Sequence, residues 1–357
     1  MIDWVTCILP LEHVQGVDGP FWNGAFVSTI PDPELGEAIE YEKLKRLPVE
    51  GSYSSRIILA STTDSAGRPA IWLSGNPAKF LQGHNVFGSD DLHGLVIEMG
   101  LRVCESFGLV PTADDLALWV SGQVELTRVD CTYSHMLGNR NRVRAALRAL
   151  DSTAHLRHRG RGQFYGDAIT WGGGSKGKPG SRRWSLTAYA KGPELEVHPL
   201  PEALRETSLP AYADGLLRIE LRMLSMELKR EALHLLANWS DNTAAELHAS
   251  KLQGLHVSGA FMLETEVLDG LPGRLQAAYQ LWRDGHDLRG MFSRPTFYRY
   301  RSGLLKHGID IAVRQERAGP DTSNVVPLRV VLVAQPATVP DWATGTPLYF
   351  EPRVKFG

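Results

Sequence analysis

The sequence has little of several features that mark particular classes of protein. Its three cysteines, Cys7, Cys104 and Cys131, are isolated and form no Cys-x-x-Cys pair, so neither a disulfide framework nor a zinc finger is expected and a reducing compartment fits. No apolar run approaches the roughly 20 residues that span a bilayer. The first ten residues carry an acid and no basic segment, unlike a signal peptide. We therefore expect a cytoplasmic protein without a membrane partner.

The chain also has little net charge. Its 38 Lys and Arg residues nearly balance 40 Asp and Glu residues, which leaves a formal net charge of −2. Proteins that coat nucleic acid are usually more basic, so positive charge that serves DNA binding here must be concentrated locally. The 357 residues, 43% of them hydrophobic, predict a globular protein with one large or two medium domains.

Hydrophobic periodicity predicts mixed strands and helices up to about residue 225. Short alternating or apolar segments bounded by Gly, Pro, Ser or Asp indicate strands. They lie at residues 54–60, 70–74, 123–133, 184–191 and 216–223. Helical spacing indicates helices at residues 92–107 and 143–150. Because strands and helices do not alternate regularly, we predict an α+β domain over residues 1–225, with a mainly antiparallel sheet and flanking helices.

From residue 226 onward the periodicity becomes mostly helical. The predicted helices lie at residues 227–237, 243–252, 271–283 and 296–307, and an apolar run at residues 325–334 predicts a final strand. We therefore expect a second, helical domain over residues 226–357 that binds DNA or supports the first domain. Residues 160–183, rich in Gly, Lys and Arg, are expected to form a mobile loop.

The segment 184–191 carries a candidate nucleophile. Apolar and polar residues alternate strictly along it, so that on a strand Ser185, Thr187, Tyr189 and Lys191 share the polar face. A tyrosine beside a lysine suits attack on a phosphate, because the ammonium stabilises the phenolate or the phosphate. Such neighbours are also common on ordinary strands, so the pattern alone leaves a purely structural face open.

A second segment contains possible metal ligands. If residues 80–86 are extended, Gln82 and His84 lie on one face and converge on a point, as ligands on a strand do. The alternative is a turn rich in Gly and Asn, in which these two side chains satisfy backbone groups.

An acidic residue between two arginines occurs on the segment 216–223. There Arg218, Glu220 and Arg222 share one strand face, opposite the apolar residues. This arrangement indicates either a structural ion pair or half of a site for phosphate and metal. Asp130, at the end of another strand-like run, is a second candidate carboxylate.

Positive charge is concentrated upstream of Tyr189, where binding to a phosphate backbone is one use of it and a solvated surface is the other. The candidate DNA contacts in this stretch are Arg157, Arg159, Arg161, Lys176, Lys178, Arg182 and Arg183. In the predicted helix at residues 296–307, Arg299 and Arg301 lie off the apolar stripe. They are candidate contacts to duplex DNA, and solvated charges on a packing helix are the equal alternative.

Five segments resemble, in the same order along the chain, the replication initiators of filamentous phages, the gene II/X protein family. Residues 76–92, Asn-Pro-Ala-Lys-Phe-Leu-Gln-Gly-His-Asn-Val-Phe-Gly-Ser-Asp-Asp-Leu, form the longest and most specific segment. The others are Thr-Arg-Val-Asp-Cys-Thr-Tyr-Ser (127–134), Leu-Thr-Ala-Tyr-Ala-Lys-Gly-Pro-Glu-Leu (186–195), Gly-Leu-Leu-Arg-Ile-Glu-Leu-Arg (215–222) and Asn-Val-Val-Pro-Leu (324–328). The N-terminal Met-Ile-Asp is similar too, so the likeness spans nearly the whole chain.

The resemblance implies a Rep-nuclease-like enzyme that nicks and rejoins DNA in rolling-circle replication. Such initiators attack one strand of the origin with a tyrosine, form a 5′-phosphotyrosine link, leave a 3′-hydroxyl primer and later seal the strand. Carried over onto this chain, the nucleophile is Tyr189 with Lys191 beside it, and Tyr165 is the reserve. Where the wider superfamily has a His-hydrophobic-His metal motif, this chain has Gln82-Gly83-His84.

The resemblance also implies a cofactor and partners. The cofactor is Mg²⁺ or Mn²⁺, which oxygen-rich sites bind and which can polarise a phosphate. The expected ligands are His84, Asp130 and Glu220, with Gln82 as a further candidate, and Arg218 and Arg222 are expected to contact DNA. The implied partner is a phage or plasmid origin, single-stranded and duplex, in the cytoplasm of a bacterial host. Host helicase and polymerase are further candidate partners.

Two alternative functions are weighed against nicking. A non-catalytic regulator that binds the origin or single-stranded DNA would not need Tyr189, Asp130 and Glu220 together. A phosphotransfer or nucleotide-binding enzyme would need a Gly-x-x-x-x-Gly-Lys-Ser/Thr loop, which residues 172–176 imitate only poorly.

Overall fold

The computed structural model describes residues 1–12, 25–31, 38–44, 46–156, 160–174, 180–257, 271–283, 286–305, 309–312 and 336–352. The predicted strand at residues 325–334 lies outside these ranges, as do four of the candidate DNA contacts, Arg157, Arg159, Lys176 and Lys178.

Fourteen strands lie within the described residues. In chain order they are β1 (Ile2–Pro10), β2 (Ala25–Pro31), β3 (Ala38–Leu44), β4 (Leu47–Glu50), β5 (Arg56–Thr63), β6 (Pro69–Gly75), β7 (Glu125–Met136), β8 (Ala154–Leu156), β9 (Gly160–Arg161), β10 (Gln163–Tyr165), β11 (Ala168–Trp171), β12 (Trp184–Ala190), β13 (Leu216–Leu224) and β14 (Leu255–Val257).

Nine of these strands form one large sheet in the order β10-β11-β12-β13-β7-β1-β6-β5-β4, and each neighbouring pair is antiparallel. Strands β14, β8 and β9 form a small second sheet, and β2 pairs with β3. The prediction of an α+β fold with a mainly antiparallel sheet is confirmed.

Twelve α-helices lie within the same residues. They are α1 (Pro77–Gln82), α2 (Leu92–Ser106), α3 (Ala113–Val120), α4 (Arg140–Thr153), α5 (Lys191–Val197), α6 (Glu202–Arg205), α7 (Leu209–Asp214), α8 (Ser225–Arg230), α9 (Thr243–Gln253), α10 (Gly273–Arg283), α11 (Leu288–Met291) and α12 (Arg294–Leu305). Several begin at a side-chain cap, which satisfies backbone amides that the helix cannot. Asp91 caps α2, Thr112 caps α3 and Asn139 caps α4.

The two faces of the large sheet differ because its strands alternate apolar and polar residues. On β12 the alternate residues Leu186, Ala188 and Ala190 are buried. They belong to the main hydrophobic core, against which helices of the first 257 residues pack. The residues between them, including Tyr189, are half-buried on the other face. The alternation predicted the orientation of Tyr189 correctly.

Three local predictions are wrong. Residues 80–86 are not extended: Asn76 caps helix α1, which contains Gln82, and Gly83 ends it in the left-handed region at φ 85°. Residues 160–183 are not a loop throughout, because β10 and β11 form a hairpin at the edge of the sheet. The predicted helix at residues 227–237 is interrupted after Arg230, where the Leu233 amide turns back to the Leu228 carbonyl.

The helices α10 to α12 have a hydrophobic core of their own, formed among residues 271–312. By contrast, α8, α9 and β14 pack on the main core, so that this core continues to residue 255, beyond the predicted boundary at residue 225. Residues 336–352, which we call the C-terminal segment, contribute to a third cluster with residues of the first part, among them Phe87 and Leu216. The division into two domains stays a prediction.

In the part of the chain that the structure describes, every helix falls short of the length and apolarity that a bilayer crossing requires.

Candidate active site

Tyr189 lies near the end of β12, directly opposite Arg218 on β13. Arg218 in turn lies opposite Ser134 on β7. Opposite residues of an antiparallel sheet point to the same face, so these three side chains form one row across the sheet. The row places a phenol beside a guanidinium, which is the arrangement needed for a tyrosine that meets a phosphate.

The Arg218 side chain is completely buried and held by fixed partners. Its Nη2 donates to the carbonyl oxygens of Asn85 and Val86 at 2.5 and 2.6 Å, and its Nε donates to Ser134 Oγ at 3.2 Å. Its Nη1 has no hydrogen-bond partner among the described residues and lies 4.0 Å from Asp3 Oδ1. A buried donor without a partner is costly, so this nitrogen marks a place where an anionic ligand would be stabilised.

Burial raises the pKa of the Tyr189 phenol well above its ordinary value. The Arg218 guanidinium opposes that shift, while the carboxylates of Asp3 and Glu220 add to it. The phenol is therefore protonated at neutral pH in the free protein. To act as a nucleophile it needs a group that takes its proton and a positive charge that stabilises the phenolate.

Asp3 belongs to the site, although the sequence analysis gave it no role of its own. Its Oδ1 accepts hydrogen bonds from Asn76 Nδ2 at 2.9 Å and Asn85 Nδ2 at 2.8 Å. Burial alone would raise its pKa, but Arg218, Lys191 and these two amides hold the pKa below its usual value. The sequence did contain a signal for this role, because the segments that carry the family resemblance include Asn76, Asn85 and the N-terminal Met-Ile-Asp.

The prediction that Lys191 belongs to the same strand as Tyr189 is wrong. Strand β12 ends at Ala190, and Lys191 begins helix α5, where its side chain is completely buried. Its Nζ donates to Asn85 Oδ1 at 2.9 Å and to Glu194 Oε2 at 2.5 Å. Burial and the nearby Arg218 lower its pKa to about 7. Lys191 thus connects α5 with Asn85 and lies close to the charges of Asp3 and Arg218, but it does so from a helix and not from the strand.

Glu220 and Asp130 lie on the polar face and share a partner. Arg222 Nη2 donates to Glu220 Oε1 at 3.2 Å, and Arg222 Nε donates to Asp130 Oδ2 at 3.3 Å. Arg128 also binds both oxygens of Asp130. Burial, Asp130 and Asp3 raise the pKa of Glu220 to about 8. Of the two interpretations of this segment, the structural one matches these contacts, because Arg222 connects the carboxyl groups of Glu220 and Asp130.

His84 and Gln82 use their polar atoms to hold the C-terminal segment. His84 Nδ1 accepts from the Val86 amide at 3.2 Å, which assigns the ring proton to Nε2, and Nε2 donates to the Leu348 carbonyl at 2.7 Å. Gln82 Oε1 accepts from the Phe350 amide at 2.8 Å, and its Nε2 donates to the His84 and Phe87 carbonyls. Burial lowers the pKa of His84 to about 4, so the ring is neutral.

The four predicted metal ligands do not fit a metal site in this arrangement. Both nitrogens of His84 and both polar atoms of Gln82 are occupied by protein groups, and Asp130 is bound by two arginines. Among the residues that the structure describes, no group of three or more His, Cys, Asp or Glu is placed to hold a metal ion. The requirement for Mg²⁺ or Mn²⁺ stays a prediction.

The described candidates for DNA contacts differ in how accessible they are. Arg182 and Arg183 are exposed at the start of β12, at the opposite end of the strand from Tyr189. Arg299 is exposed on α12, whereas Arg301 is bound to both oxygens of Asp310 at 2.6 and 2.7 Å. The backbone of Arg161 lies in the short strand β9.

Comparison with known proteins agrees with the family resemblance that the sequence segments indicate. The family model for the N-terminal part of the phage Replication-associated protein, the gene II protein, matches residues 1–242, and the model for its C-terminal part matches residues 272–352. The Replication-associated protein of Enterobacteria phage I2-2 is 36% identical over 346 residues, which cover 95% of each chain. The protein of the same name from Enterobacteria phage M13 is 28% identical over 189 residues, 47% of this chain and 42% of the relative.

No solved structure matches the chain. The two family models together reach from the first residue to the C-terminal segment, and the relative from phage I2-2 covers nearly the full length. The chain belongs to the family of phage replication-associated proteins of the gene II type.

Proposed function

We propose that this chain initiates rolling-circle replication of a phage genome by nicking one strand of the origin with Tyr189. Membership of the family of phage replication-associated proteins supports a role in replication. The observation that carries the chemistry is the phenol of Tyr189 opposite a buried arginine, one nitrogen of which has no hydrogen-bond partner among the described residues. A non-bridging oxygen of the scissile phosphate is the anion that Arg218 Nη1 would stabilise.

The reaction exchanges one phosphodiester for another. The phenolic oxygen of Tyr189 loses its proton and forms a bond to phosphorus, the bond from phosphorus to the 3′ oxygen breaks, and that oxygen takes up a proton. The product is a 5′-phosphotyrosine and a free 3′-hydroxyl, which can prime synthesis. Because the new bond conserves the energy of the old one, attack by a 3′-hydroxyl reverses the reaction and seals the strand.

Glu220 is the group of the site that is placed to accept the proton of the Tyr189 phenol. Its ionised form, which becomes the main form above its pKa of about 8, can take that proton, and this pKa lies nearer to that of a phenol than the pKa of an ordinary carboxyl group does. It lies one row along β13 from Arg218, on the same face as Tyr189. The two positive side chains nearest the reaction then have separate roles. Arg218 faces the phosphate, and Arg222 holds Glu220 and Asp130.

The proposed substrate is the origin in single-stranded and duplex form, in the cytoplasm of the bacterial host. The exposed arginines at the start of β12 and on α12 are the described groups available for the phosphate backbone. Strand separation and synthesis require a helicase and a polymerase, which the host would supply. We propose Mg²⁺ or Mn²⁺ as the metal on family grounds, with no step of the reaction assigned to it.

A supercoiled plasmid carrying the phage origin tests the proposal. Wild-type protein with Mg²⁺ should produce open circles and protein-linked DNA, and Tyr189→Phe, which removes only the hydroxyl, should produce neither while still binding the origin. Tyr298→Phe is the matched control, since Tyr298 is an exposed tyrosine on α12 and does not belong to the large sheet.

Two results would contradict this assignment. A covalent adduct formed by Tyr189→Phe would move the nucleophile to another tyrosine, and Tyr165→Phe would then be the next variant to test. Origin binding by the wild type without any nicking would favour the non-catalytic regulator instead.

A further inference from the structure

A second tyrosine lies in the same row as Tyr189. Tyr165 on β10 pairs with Ala168 on β11, and Ala168 pairs with Tyr189 on β12. Opposite residues share a face, so the row runs Tyr165, Ala168, Tyr189, Arg218. Tyr165 is 90% exposed, the most exposed of the large hydrophobic residues that the structure describes. An aromatic ring therefore stands in solvent at the edge of the sheet, in line with the candidate nucleophile.

The spacing of this row leaves a gap between the two tyrosines. Neighbouring strands lie about 4.8 Å apart, which places the Cα atoms of Tyr165 and Tyr189 roughly 10 Å from each other. Only the methyl group of Ala168 lies between them. The register thus leaves room between the two tyrosines for the edge of a planar ligand, and Arg218 lies on the far side of Tyr189.

The hairpin that carries Tyr165 is anchored. Gly166, at φ 59°, forms its tight turn with Asp167. Arg144 on α4 binds both carboxylate oxygens of Asp167 at 2.8 Å, and the Ala190 amide donates to the Asp167 carbonyl at 3.0 Å. The turn is thereby connected to both the helix layer and the strand of Tyr189. The backbone that carries the ring is therefore ordered before a ligand binds, which lowers the entropic cost of the contact.

We propose that Tyr165 is a stacking platform for the base next to the scissile phosphate, in single-stranded DNA. The inference rests on the function proposed above, because it takes Tyr189 as the position of the phosphate. Exposed aromatic side chains beside positive charge are how proteins hold single strands without reading sequence, and every base offers a face to stack on. The ring of Tyr165 would hold one base while Arg218 holds the phosphate.

Fluorescence of 2-aminopurine tests the proposal directly. Short single-stranded oligonucleotides containing the cleavage site that the full chain uses would carry 2-aminopurine at each position flanking that site in turn. Tyr189→Phe protein binds them without cleavage, and we expect the fluorescence to be quenched at one flanking position. Adding Tyr165→Ala should abolish that quenching and weaken binding roughly five- to hundredfold. Adding Tyr165→Phe should preserve both.

Phe164 provides the matched control. It is 44% exposed on the same strand but pairs with Ile169 on the opposite face, so Phe164→Ala should leave quenching unchanged. Quenching and affinity that survive Tyr165→Ala would overturn the stacking role. If Tyr165→Phe, in a chain that retains Tyr189, abolishes the covalent adduct, then Tyr165 acts through its hydroxyl and the stacking role is likewise overturned.

These outcomes are separable from failure of the proposed function. An adduct that persists in Tyr189→Phe refutes the nucleophile, whatever the fluorescence shows. An adduct that depends on Tyr189, together with quenching indifferent to Tyr165→Ala, refutes the stacking platform alone.

Discussion

Two regions meet at the end of the large sheet, and they differ in how completely their buried polar atoms are hydrogen-bonded. In the row of Tyr189 and Arg218, a buried guanidinium nitrogen has no hydrogen-bond partner in the described part of the chain and lies 4.0 Å from its ion-pair partner Asp3. In residues 82–87, by contrast, every side-chain polar atom of Gln82 and His84 has a hydrogen-bond partner, either within these residues or in the C-terminal segment. Incomplete pairing indicates where a ligand is expected, and complete pairing indicates a structural role.

This difference indicates a structural role for the segment with the strongest resemblance to phage initiators. From the superfamily motif, His84 was expected to bind a metal. In the structure the loop instead connects the C-terminal segment to the site, since Gln82 and His84 hold residues 348–350 while Asn85 and Val86 hold Lys191 and Arg218. The C-terminal segment also contacts the Tyr189 row, because the Ala337 amide donates to the Ser134 carbonyl at 2.7 Å.

The largest effect is expected at Arg218. Arg218→Lys keeps the charge but loses the planar group that binds the Asn85 and Val86 carbonyls and the phosphate together. We expect nicking to slow by about a hundredfold or more, by analogy with the removal of one preorganised donor from other active sites. Single-turnover cleavage of a single-stranded origin oligonucleotide measures this.

Arg222→Lys is the control for that variant. Arg222 lies four residues after Arg218 on β13 and is bound to Glu220 and Asp130. Its substitution should therefore slow cleavage much less. Equal losses in the two variants would remove the distinction between a group that binds phosphate and one that binds neighbouring carboxylates. Thermal unfolding of both variants shows whether each still folds.

The second prediction compares two replacements of His84. Glutamine retains an N–H donor for the Leu348 carbonyl and should cost about 1 kcal/mol of folding free energy. Glutamate places an unpaired negative charge in a buried site beside that carbonyl and should cost about 3 kcal/mol. Chemical denaturation with and without Mg²⁺ measures both, and hydrogen exchange of residues 346–352 should rise in the glutamate variant.

A metal-binding role for His84 predicts the reverse order. Glutamate would then be the better replacement once Mg²⁺ is present, and its stability would rise with the metal concentration. Phe350→Pro offers an independent check, because it removes the amide donor to Gln82, whereas Phe350→Ala keeps that donor. Only the proline variant should lose the hydrogen bond between the C-terminal segment and Gln82.

The last prediction concerns Glu220 and pH, and its effect is small for each pH unit. Burial, Asp130 and Asp3 raise its pKa from 4.5 to about 8 in the folded protein, so between these values the folded state holds a proton that the unfolded state has lost. The wild type should therefore lose about 1 kcal/mol of stability per pH unit from pH 4.5 to 8, relative to Glu220→Gln, which mimics the protonated form. Urea unfolding of both proteins at pH 5 and pH 8 measures this. A stability difference that does not change with pH would mean that Glu220 is ionised throughout the range.

Much of the fold follows from the sequence because its strands and helices keep a regular period. The alternation along residues 184–190 decides which side of β12 is buried and places Tyr189 on the polar face, since a strand has only two faces. The same reasoning failed at Lys191 and at residues 80–86. At both places the chain changes from one element to another, and alternation has no meaning beyond the end of a strand.

The sequence by itself determined the family, the α+β class, the antiparallel sheet and Tyr189 as the candidate nucleophile. Only the tertiary structure decided what surrounds that tyrosine. The register of three strands brought Arg218 and Tyr165 into its row. Hydrogen bonds between residues more than 260 positions apart connect His84 and Gln82 to the C-terminal segment. Periodicity reports local backbone conformation, whereas the partner of a buried polar group depends on contacts between distant parts of the chain, which no local pattern encodes.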